Sequence, residues 1–372
     1  MALISLGKID KSLIPTFVGC GFLFLNRLLN KYSETLLFKN IILTNIFISV
    51  SRILAFIPYL ILKKRTKQKK NIDKEQSSKV KFLYFYKDEH KMINEGKWKY
   101  ITLSAVTNFI QTIFFVYSFK VQTNAWIWFI VLTSLFYYLV FKIKLYKHHY
   151  LCIILIILLG IIIDILLDSY QIDIEKNMLF LIMKFLREVV LSFHFVIVKY
   201  AMEKKFISVY EMSVDIGVSN LILFGIFSVI DYYTIRLDNL DEYANEFNYI
   251  ELLIILGEIS SQFFCNLSIL LTLKNNSPCH IFILFVFAQL AYYINFERKY
   301  SIIVIILLFI ILFLSLIFNE IIEINCFGLS YNTKRNISER AMNEGKLTHN
   351  DSIDSNNVDG YMVELPENEI YN

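Results

Sequence analysis

The chain has 372 residues, 56% of them hydrophobic, and a formal net charge of +4 at pH 7. Soluble globular domains are about 45–50% apolar, so the composition argues against one, and the small net charge gives no reason to expect a nucleic-acid partner. The five cysteines have no paired spacing, which argues against a disulfide framework and against a zinc site.

Apolar runs near the roughly 17–25 residues that cross a bilayer recur along the whole chain. They predict ten transmembrane helices and therefore an all-α membrane protein. The segments are residues 12–29, 38–62, 100–118, 123–141, 150–167, 178–198, 212–230, 250–273, 278–294 and 301–319. By region, residues 1–62 carry helices 1–2, residues 100–167 carry helices 3–5, and residues 178–319 carry helices 6–10.

Two segments are too polar to lie in a membrane. Residues 63–99 hold 13 of the 37 Lys and Arg residues and are expected to form a basic cytosolic loop. Residues 320–372 have too little apolar surface to order themselves and are expected to form a largely disordered tail. With the N-terminus in the cytosol, 26 basic residues fall on the cytosolic side and 8 in the opposite loops. The positive-inside rule therefore places both termini in the cytosol.

The stretch "MKFLREVVLSFHFVIVKY", residues 183–200, carries charges in an otherwise apolar helix. A charge at the bilayer centre costs roughly 2.5–3.5 kcal/mol on insertion scales, so ionised groups there are usually functional. At 100° per residue, Lys184, Arg187 and Glu188 share one polar arc of about 160° with the other polar residues of the stretch. This face is expected to meet other helices or a water-filled cavity.

Three other helices have a similar polar stripe. The stripes contain Asn108 and Gln111 in helix 3, Glu258 and Gln262 in helix 8, and Arg52 in helix 2. Together with the charged face of helix 6 they can line one central cavity, and we expect these side chains to face it. The alternative is that uncharged polar groups only join helices, at about 0.6 kcal/mol each.

Roles within the charged stretch follow from side-chain chemistry. Arg187 is expected to contact an anionic part of a solute, or a carboxylate that yields to it, because its planar fork binds such groups at two points. Glu188 is expected to hold Lys184 or a neighbouring base. A purely structural Lys184–Glu188 pair at i,i+4 spacing is the alternative. His148 and His149 fall in a basic loop, where a solvated position is expected rather than a metal site.

An odd number of helices in each half has a topological consequence. If helices 1–5 and 6–10 are two copies of one unit, the second copy enters the membrane from the opposite side. The sequence thus favours two inverted five-helix repeats, an arrangement common among secondary transporters, with the site near the midplane. Sequence support is a shared pattern in 136–163 and 290–314, where Tyr-Tyr ends one helix, a short basic turn follows and an Ile/Leu-rich helix begins.

Three stretches carry a resemblance to a known family: "FHFVIVKYAMEKKFISVYEM" (193–212), "NNSPCHIFILFVFAQL" (275–290) and "FNEIIEINCFGLSYNTKRNISERA" (318–341). They resemble, in order, the turn between helices 6 and 7, the short central ninth helix, and the juxtamembrane tail of protist members of the drug/metabolite transporter superfamily, the group with EamA-like and nucleotide-sugar-transporter-like domains. The resemblance covers residues 12–319 in helix order.

The resemblance implies alternating access, frequent homodimers and a small organic solute such as a nucleotide sugar or another phosphorylated metabolite. It favours the Golgi or endoplasmic reticulum, with the plasma membrane as the alternative, and no cofactor. An enzyme is disfavoured because no HExxH, GxSxG, Walker-type glycine loop or His/Asp ligand cluster occurs. The remaining alternative is a non-transporting scaffold or receptor that docks partners through 63–99 and the tail.

Overall fold

In the computed structural model the described residues are 4–6, 11–33, 41–61, 64, 96–118, 125–143, 145–168, 174–235, 249–295 and 301–324. Within them the chain forms ten α-helices of 13 residues or more. These are α1 (Ile14–Ser33), α2 (Ile41–Ile53), α3 (Lys97–Ser118), α4 (Trp128–Phe141), α5 (Lys147–Asp168), α6 (Ile174–Lys204), α7 (Val209–Ile235), α8 (Tyr249–Asn275), α9 (Ile281–Asn295) and α10 (Ser301–Phe318). The prediction of a helical chain is confirmed, and each of the ten predicted segments overlaps one of these helices.

Single turns of 3-10 helix precede three of the helices, at Lys11–Leu13, Ala125–Ile127 and Pro278–His280. The last of these has a clear local cause, because proline fits the first position of a helical turn, where its missing N–H has no partner to lose. α3 begins at Lys97, three residues before the predicted start, so 97–99 belong to a helix and not to the basic loop. Apart from Lys64, the rest of that loop up to residue 95 lies outside the described residues.

In the part of the chain that the structure describes, three helical segments are long and apolar enough to cross a membrane: Lys147–Leu166, Val209–Phe227 and Leu253–Asn275. The pattern of exposure in α5 supports this reading, because large apolar side chains cover its outer face at helical spacing. Those exposed side chains are Ile154, Leu158, Ile161 and Ile165. A water-soluble protein places such residues inside. The chain is accordingly described below as a helical membrane protein.

The helices pack in pairs that are related to one another. α1 packs on α8, and α6 packs on α3; α4 packs on α6, and α9 packs on α1; α3 packs on α7, and α8 packs on α2. When five is added to the numbers of helices 1–5 and subtracted from those of helices 6–10, each of these contacts becomes the other contact of its pair. The same renumbering leaves two further contacts unchanged, that of α2 with α7 and that of α5 with α10. The buried core lies where these pairs meet.

α2 and α7 approach most closely at Gly217. A Cβ atom built on Gly217 would lie 2.9 Å from Cβ of Arg52, 3.0 Å from Cγ1 of Ile53 and 3.0 Å from the carbonyl oxygen of Ser49. Two of these atoms belong to or adjoin the backbone of α2 and cannot move aside as a flexible side chain can. Glycine is therefore needed for the two helices to touch here.

Gly217→Ala is expected to lower the free energy of unfolding by about 1–3 kcal/mol, because the added methyl group forces α2 and α7 apart. The matched control is Gly225→Ala in the same helix, where an added Cβ meets nothing within 4 Å. That change is expected to be neutral or to stabilise by up to about 1 kcal/mol through helix propensity. Thermal unfolding in detergent compares the two variants. Equal midpoints would show that the close α2–α7 contact is absent.

α2 is interrupted one residue after Arg52. Residues 54–55 form a turn and residues 56–61 are helical again. Pro58 gives the cause, since a proline ring clashes with the carbonyl four residues earlier, here that of Leu54, and donates no hydrogen bond. The N–H of Ala55 consequently bonds to the carbonyl oxygen of Arg52 at 3.2 Å, in a tighter turn than that of an α-helix.

The fold is not purely helical. Strand β1 (Ile4–Leu6) pairs in antiparallel register with strand β2 (Ile322–Ile324), with Ser5 opposite Glu323. Residues 322–324, which lie at the start of the segment expected to form the tail, are therefore paired with the N-terminal strand, and Ile321 beside them is buried. The tail from residue 325 onward lies outside the described residues.

Candidate functional site

Arg52 lies at the centre of a polar cluster that joins three helices. Its Nη2 donates to Oδ1 of Asn108 on α3 at 3.2 Å. In the orientation that satisfies both ends of its side-chain amide, the nitrogen of Asn220 on α7 donates to the carbonyl oxygen of Ala105 at 3.1 Å. The oxygen of this amide then accepts from Nη1 of Arg52 at 3.1 Å and from Nδ2 of Asn108 at 2.5 Å. Asn108 and Asn220 are 5% and 1% exposed. We call Arg52, Asn108 and Asn220 the arginine cluster.

The arginine cluster lies near the middle of its helices. Asn108 is eleven residues from the start of α3, and Asn220 is eleven residues from the start of α7. At 1.5 Å per residue this is about 16 Å, roughly half of the 30 Å apolar thickness of a bilayer.

Arg52 is partly buried, and its guanidinium group is held by neutral amides. Among the described residues, none of the ion pairs joins a carboxylate to Arg52. Isolated charges in a low-dielectric interior are costly and are normally paired. The arrangement thus leaves a positive charge without a carboxylate, which suits it to hold an anion.

His194 brings α6 to the same place. Nδ1 of His194 lies 3.0 Å from Oγ1 of Thr107, while that hydroxyl also lies 2.9 Å from the carbonyl of Leu103 and 3.0 Å from that of Ser104. A hydroxyl has one proton, and here it points to a backbone carbonyl. When the hydroxyl donates to one of these carbonyls, Nδ1–H of the imidazole donates to Oγ1 of Thr107. His194 is 4% exposed and close enough to Arg52 to interact with it electrostatically.

α7 and α8 complete the surroundings of Arg52. Oγ of Ser213 on α7 donates to the carbonyl oxygen of Arg52 at 3.1 Å, at the interruption of α2. Nδ2 of Asn266 on α8 donates to Oγ of Ser51 at 3.3 Å. Five helices, α2, α3, α6, α7 and α8, therefore bring polar groups to one region in the middle of the molecule.

Arg187 and Glu188 form a second polar group, on α6. Nη1 of Arg187 lies 3.2 Å from Oε1 of Glu188, with 23% and 1% of their side chains exposed. Lys184 is near enough to interact electrostatically with both and with Asp164 of α5. Arg187 therefore pairs with Glu188, and Lys184 adds a second positive charge nearby. Glu188 lies six residues before His194, or about 9 Å along the helix.

The other predicted site residues make contacts outside the arginine cluster and the Arg187–Glu188 pair. Nε2 of Gln111 donates to Oγ1 of Thr112 on its own helix at 3.1 Å, although Asn108 one turn earlier belongs to the arginine cluster. Gln262 of α8 accepts a hydrogen bond from Nδ2 of Asn26 of α1. Glu258, one turn from Gln262, is partly buried. Of the eight predicted residues, the structure joins Arg52 with Asn108, and Arg187 with Glu188 and Lys184.

Sequence reasoning missed Asn220 and left His194 out of the site. A signal for Asn220 exists in the spacing of Ser213, Gly217 and Asn220, which places small and polar residues on one face of α7. That face is the one that meets α2. His194 was assigned to the polar arc of α6 but carries no charge that would single it out.

The expectation of a solvated loop at His148 and His149 is wrong. α5 begins at Lys147, and His148 is 4% exposed because the end of α10 packs over it. Phe318 of α10 contacts the ring of His149 edge-on, with 4.8 Å between ring centroids.

Comparison with known proteins does not extend these observations. No protein-family model matches the chain, and no curated protein matches it.

Proposed function

We propose that this protein is a secondary transporter that moves a small organic anion, such as a nucleotide sugar or another phosphorylated metabolite, by alternating access. The observation that carries the proposal is the positive charge of Arg52, which is held by amides near the middle of α3 and α7 and is not ion-paired with any carboxylate of the described residues. Arginine binds phosphate and carboxylate groups at two points and stays charged in a dry site. An anion at Arg52 would supply the missing negative charge.

The proposed architecture is ten membrane spans in two inverted five-helix repeats. Its support is the exchange of packing pairs when each helix number is shifted by five, as expected when two copies of one unit pack around a twofold axis. Helices α2 and α7 are equivalent under that exchange and pack on each other. Arg52 and Asn220 face one another from these two helices, so the arginine cluster lies at the proposed repeat interface.

The proposed topology is supported by contacts between helix ends. Lys97 at the start of α3 pairs with Glu211 at the start of α7. Nζ of Lys199, near the end of α6, donates to the carbonyl oxygen of Lys274, near the end of α8, at 3.3 Å. β1 pairs with β2. Each contact joins two segments that the basic-residue count assigns to the cytosol.

The interruption of α2 fits the proposed mechanism. In transporters, helices broken near the midplane expose backbone groups at the binding site and allow one part of a helix to move relative to the other. Here the break begins two residues after Arg52, and Oγ of Ser213 donates to the carbonyl oxygen of Arg52, which also accepts from the N–H of Ala55 at the break. A change in the α2–α7 contact would therefore reach the bound anion through Arg52.

The remaining parts of the proposal rest on the resemblance to the drug/metabolite transporter superfamily. They are residence in the endoplasmic reticulum, the Golgi or the plasma membrane, homodimer formation, and transport without a cofactor or covalent chemistry. Arg187, Glu188 and Lys184 are proposed as a second polar contact for the solute. Gln111, Glu258 and Gln262 are proposed to line its path.

A stability screen tests the proposal. Purified protein in detergent is heated with a panel of sugar phosphates, nucleotide sugars, nucleotides and organic acids, each paired with its uncharged counterpart. Ligand binding adds RT ln(1 + [L]/Kd), about 2.7 kcal/mol at a hundredfold excess over Kd. We expect stabilisation by phosphorylated or carboxylated members only. Stabilisation by the uncharged sugars to the same extent would contradict an anion site at Arg52.

Topology is tested by labelling single cysteines from each side of sealed membranes. Cysteines placed in 63–95 and in 330–372 are expected to react from the cytosolic side only. Cysteines placed in 236–248 are expected to react from the opposite side only, because that loop follows the seventh proposed span. Labelling of 63–95 from the non-cytosolic side would overturn the ten-span topology while leaving the arginine cluster as described.

A further inference from the structure

Two histidines and a glutamate meet where α5 begins and α10 ends. Nε2 of His148 lies 3.3 Å from Oε1 of Glu320, and Nε2 of His149 lies 3.9 Å from the same oxygen. One ligand atom from each of the three residues lies within 4.8 Å of the other two. We call these residues the His–His–Glu cluster. It is separate from the arginine cluster and belongs to the end contacts of the bundle.

His148 indicates a missing ligand. Its side chain is almost wholly buried, and within the described part of the chain neither of its ring nitrogens makes a hydrogen bond. Buried polar groups are nearly always hydrogen-bonded or bound to a metal. The imidazole nevertheless points Nε2 towards Glu320. A cation bound by both groups would satisfy the imidazole of His148.

Glu320 occupies a backbone position that normally favours glycine. Its φ is 58°, and it follows α10 in a turn where Ile321 N bonds to the carbonyl oxygen of Leu316 at 2.9 Å. Residues other than glycine are disfavoured at such a helix end. The chain keeps a carboxylate here, directed at two histidines, where packing alone would favour glycine.

We propose that the His–His–Glu cluster binds a divalent transition metal of the zinc class. Imidazole and carboxylate ligands suit such ions, whereas Mg²⁺ and Ca²⁺ prefer oxygen ligands alone. With metal–ligand distances of about 2.0–2.1 Å, tetrahedral ligand atoms lie about 3.3–3.4 Å apart. The His148–Glu320 distance already equals this value, whereas Nε2 of His149 is 3.9 Å from Glu320 and the three ligand atoms are only within 4.8 Å of one another, so the side chain of His149 must move to complete the site. The fourth position remains for water.

A hydrogen bond made by His149 limits the affinity of the His–His–Glu cluster for a metal ion. Nδ1 of His149 accepts a hydrogen bond from the backbone N–H of Tyr146 at 3.1 Å, which places the ring proton on Nε2. A metal binds a ring nitrogen that carries no proton. Nε2 of His149 can therefore bind a metal only when the proton is on Nδ1, which then no longer accepts from Tyr146, so the ring must also rotate away from that N–H. Metal binding therefore competes with the Tyr146 bond, and the site is expected to be exchangeable.

A bound metal would cross-link α5 to α10. These helices are the last of the first five and the last of the second five, and they pack on each other. The site lies beside the β1–β2 pair, since β2 begins two residues after Glu320. Metal binding would thus stabilise this end of the bundle, whether or not the protein transports an anion.

The test uses full-length protein purified through a tag without histidine and titrated with ZnCl₂ by calorimetry and thermal unfolding. Co²⁺ serves as a spectroscopic probe, because its visible bands report coordination geometry. We expect one equivalent of Zn²⁺ to bind and to raise the unfolding midpoint, and Mg²⁺ to do neither. His148→Gln and His149→Gln are expected to weaken binding at least tenfold. His90→Gln, which removes a histidine from another segment, is expected to bind as the original chain does.

Glu320→Gly separates binding from folding. It removes a ligand and at the same time relieves the left-handed backbone, so the metal-free variant is expected to unfold at the same or a higher temperature and to lose the midpoint shift caused by Zn²⁺. Binding of Zn²⁺ by Glu320→Gly with unchanged affinity would overturn the proposal. Absence of one-equivalent binding by the folded original chain would also overturn it.

Discussion

Arg52→Gln is expected to abolish both solute-dependent stabilisation and transport while leaving the empty protein as stable as before, or more stable. Glutamine keeps polar atoms that can bond Asn108 and Asn220 but removes the charge that the anion requires. Losing a charge-assisted contact of this kind costs about 2–5 kcal/mol of binding, which is roughly 30- to several-thousand-fold in affinity. The empty protein loses only an unpaired charge, which is costly at bilayer depth.

Measuring both solute-dependent stabilisation and the unfolding midpoint of the empty protein distinguishes a residue that binds the solute from one that only supports the structure. If Arg52 only held α2, α3 and α7 together, Arg52→Gln would lower the unfolding midpoint. Arg52→Lys keeps the charge without the planar fork and is expected to give intermediate affinity. Ser213→Ala is the matched control, because it removes a hydrogen bond to the Arg52 backbone and leaves the charge intact. Transport by Arg52→Gln at the original rate would contradict the assignment.

Arg187→Leu is expected to destabilise the protein by about 3–5 kcal/mol, because it leaves the carboxylate of Glu188 buried without its partner. Glu188→Gln is expected to cost less, since the glutamine side-chain oxygen can still accept a hydrogen bond from the guanidinium group of Arg187. The variant with leucine at both Arg187 and Glu188 is expected to recover most of the lost stability, because apolar residues can often replace a buried ion pair without loss of stability. Unfolding midpoints of the three variants in detergent give the comparison.

The same variants test whether the Arg187–Glu188 pair also serves transport. A stable Lys184, Arg187 and Glu188 triple variant with leucine at all three positions is expected to reach the membrane and to transport poorly. Transport at the original rate by the triple variant would remove these residues from the proposed site. It would leave the role of Arg52 untouched, since that residue lies on another helix.

The helices could be predicted from sequence because long apolar runs decide them almost alone. For α3 and α6 part of the buried face could also be predicted, since 100° spacing places Asn108 and Glu188 on sides that the structure finds buried. Pro58 was visible in the sequence, yet the break that it causes in α2 was not anticipated. Predicted helix 38–62 therefore became a shorter helix, a turn and a second helical piece.

Contacts between helices could not be predicted in the same way. Arg52 meets Asn108 and Asn220 only through the packing of α2, α3 and α7, and these residues are far apart in sequence. The i,i+4 rule favoured Lys184 as the partner of Glu188, but it gives no sign that the side chain of Arg187 turns towards Glu188. His148 was taken for a loop residue because nothing in its own segment shows that the end of α10 covers it.

Counterflow in proteoliposomes tests the central claim most directly. Liposomes that contain the purified protein are loaded with an unlabelled anion selected in the stability screen and diluted into a trace of the same labelled compound. Exchange transport predicts transient accumulation of label inside, which the Arg52→Gln protein, reconstituted to equal density, fails to produce. Equal accumulation by the two proteins, or none by the original protein with an anion that stabilises it, would contradict a transporter built around Arg52.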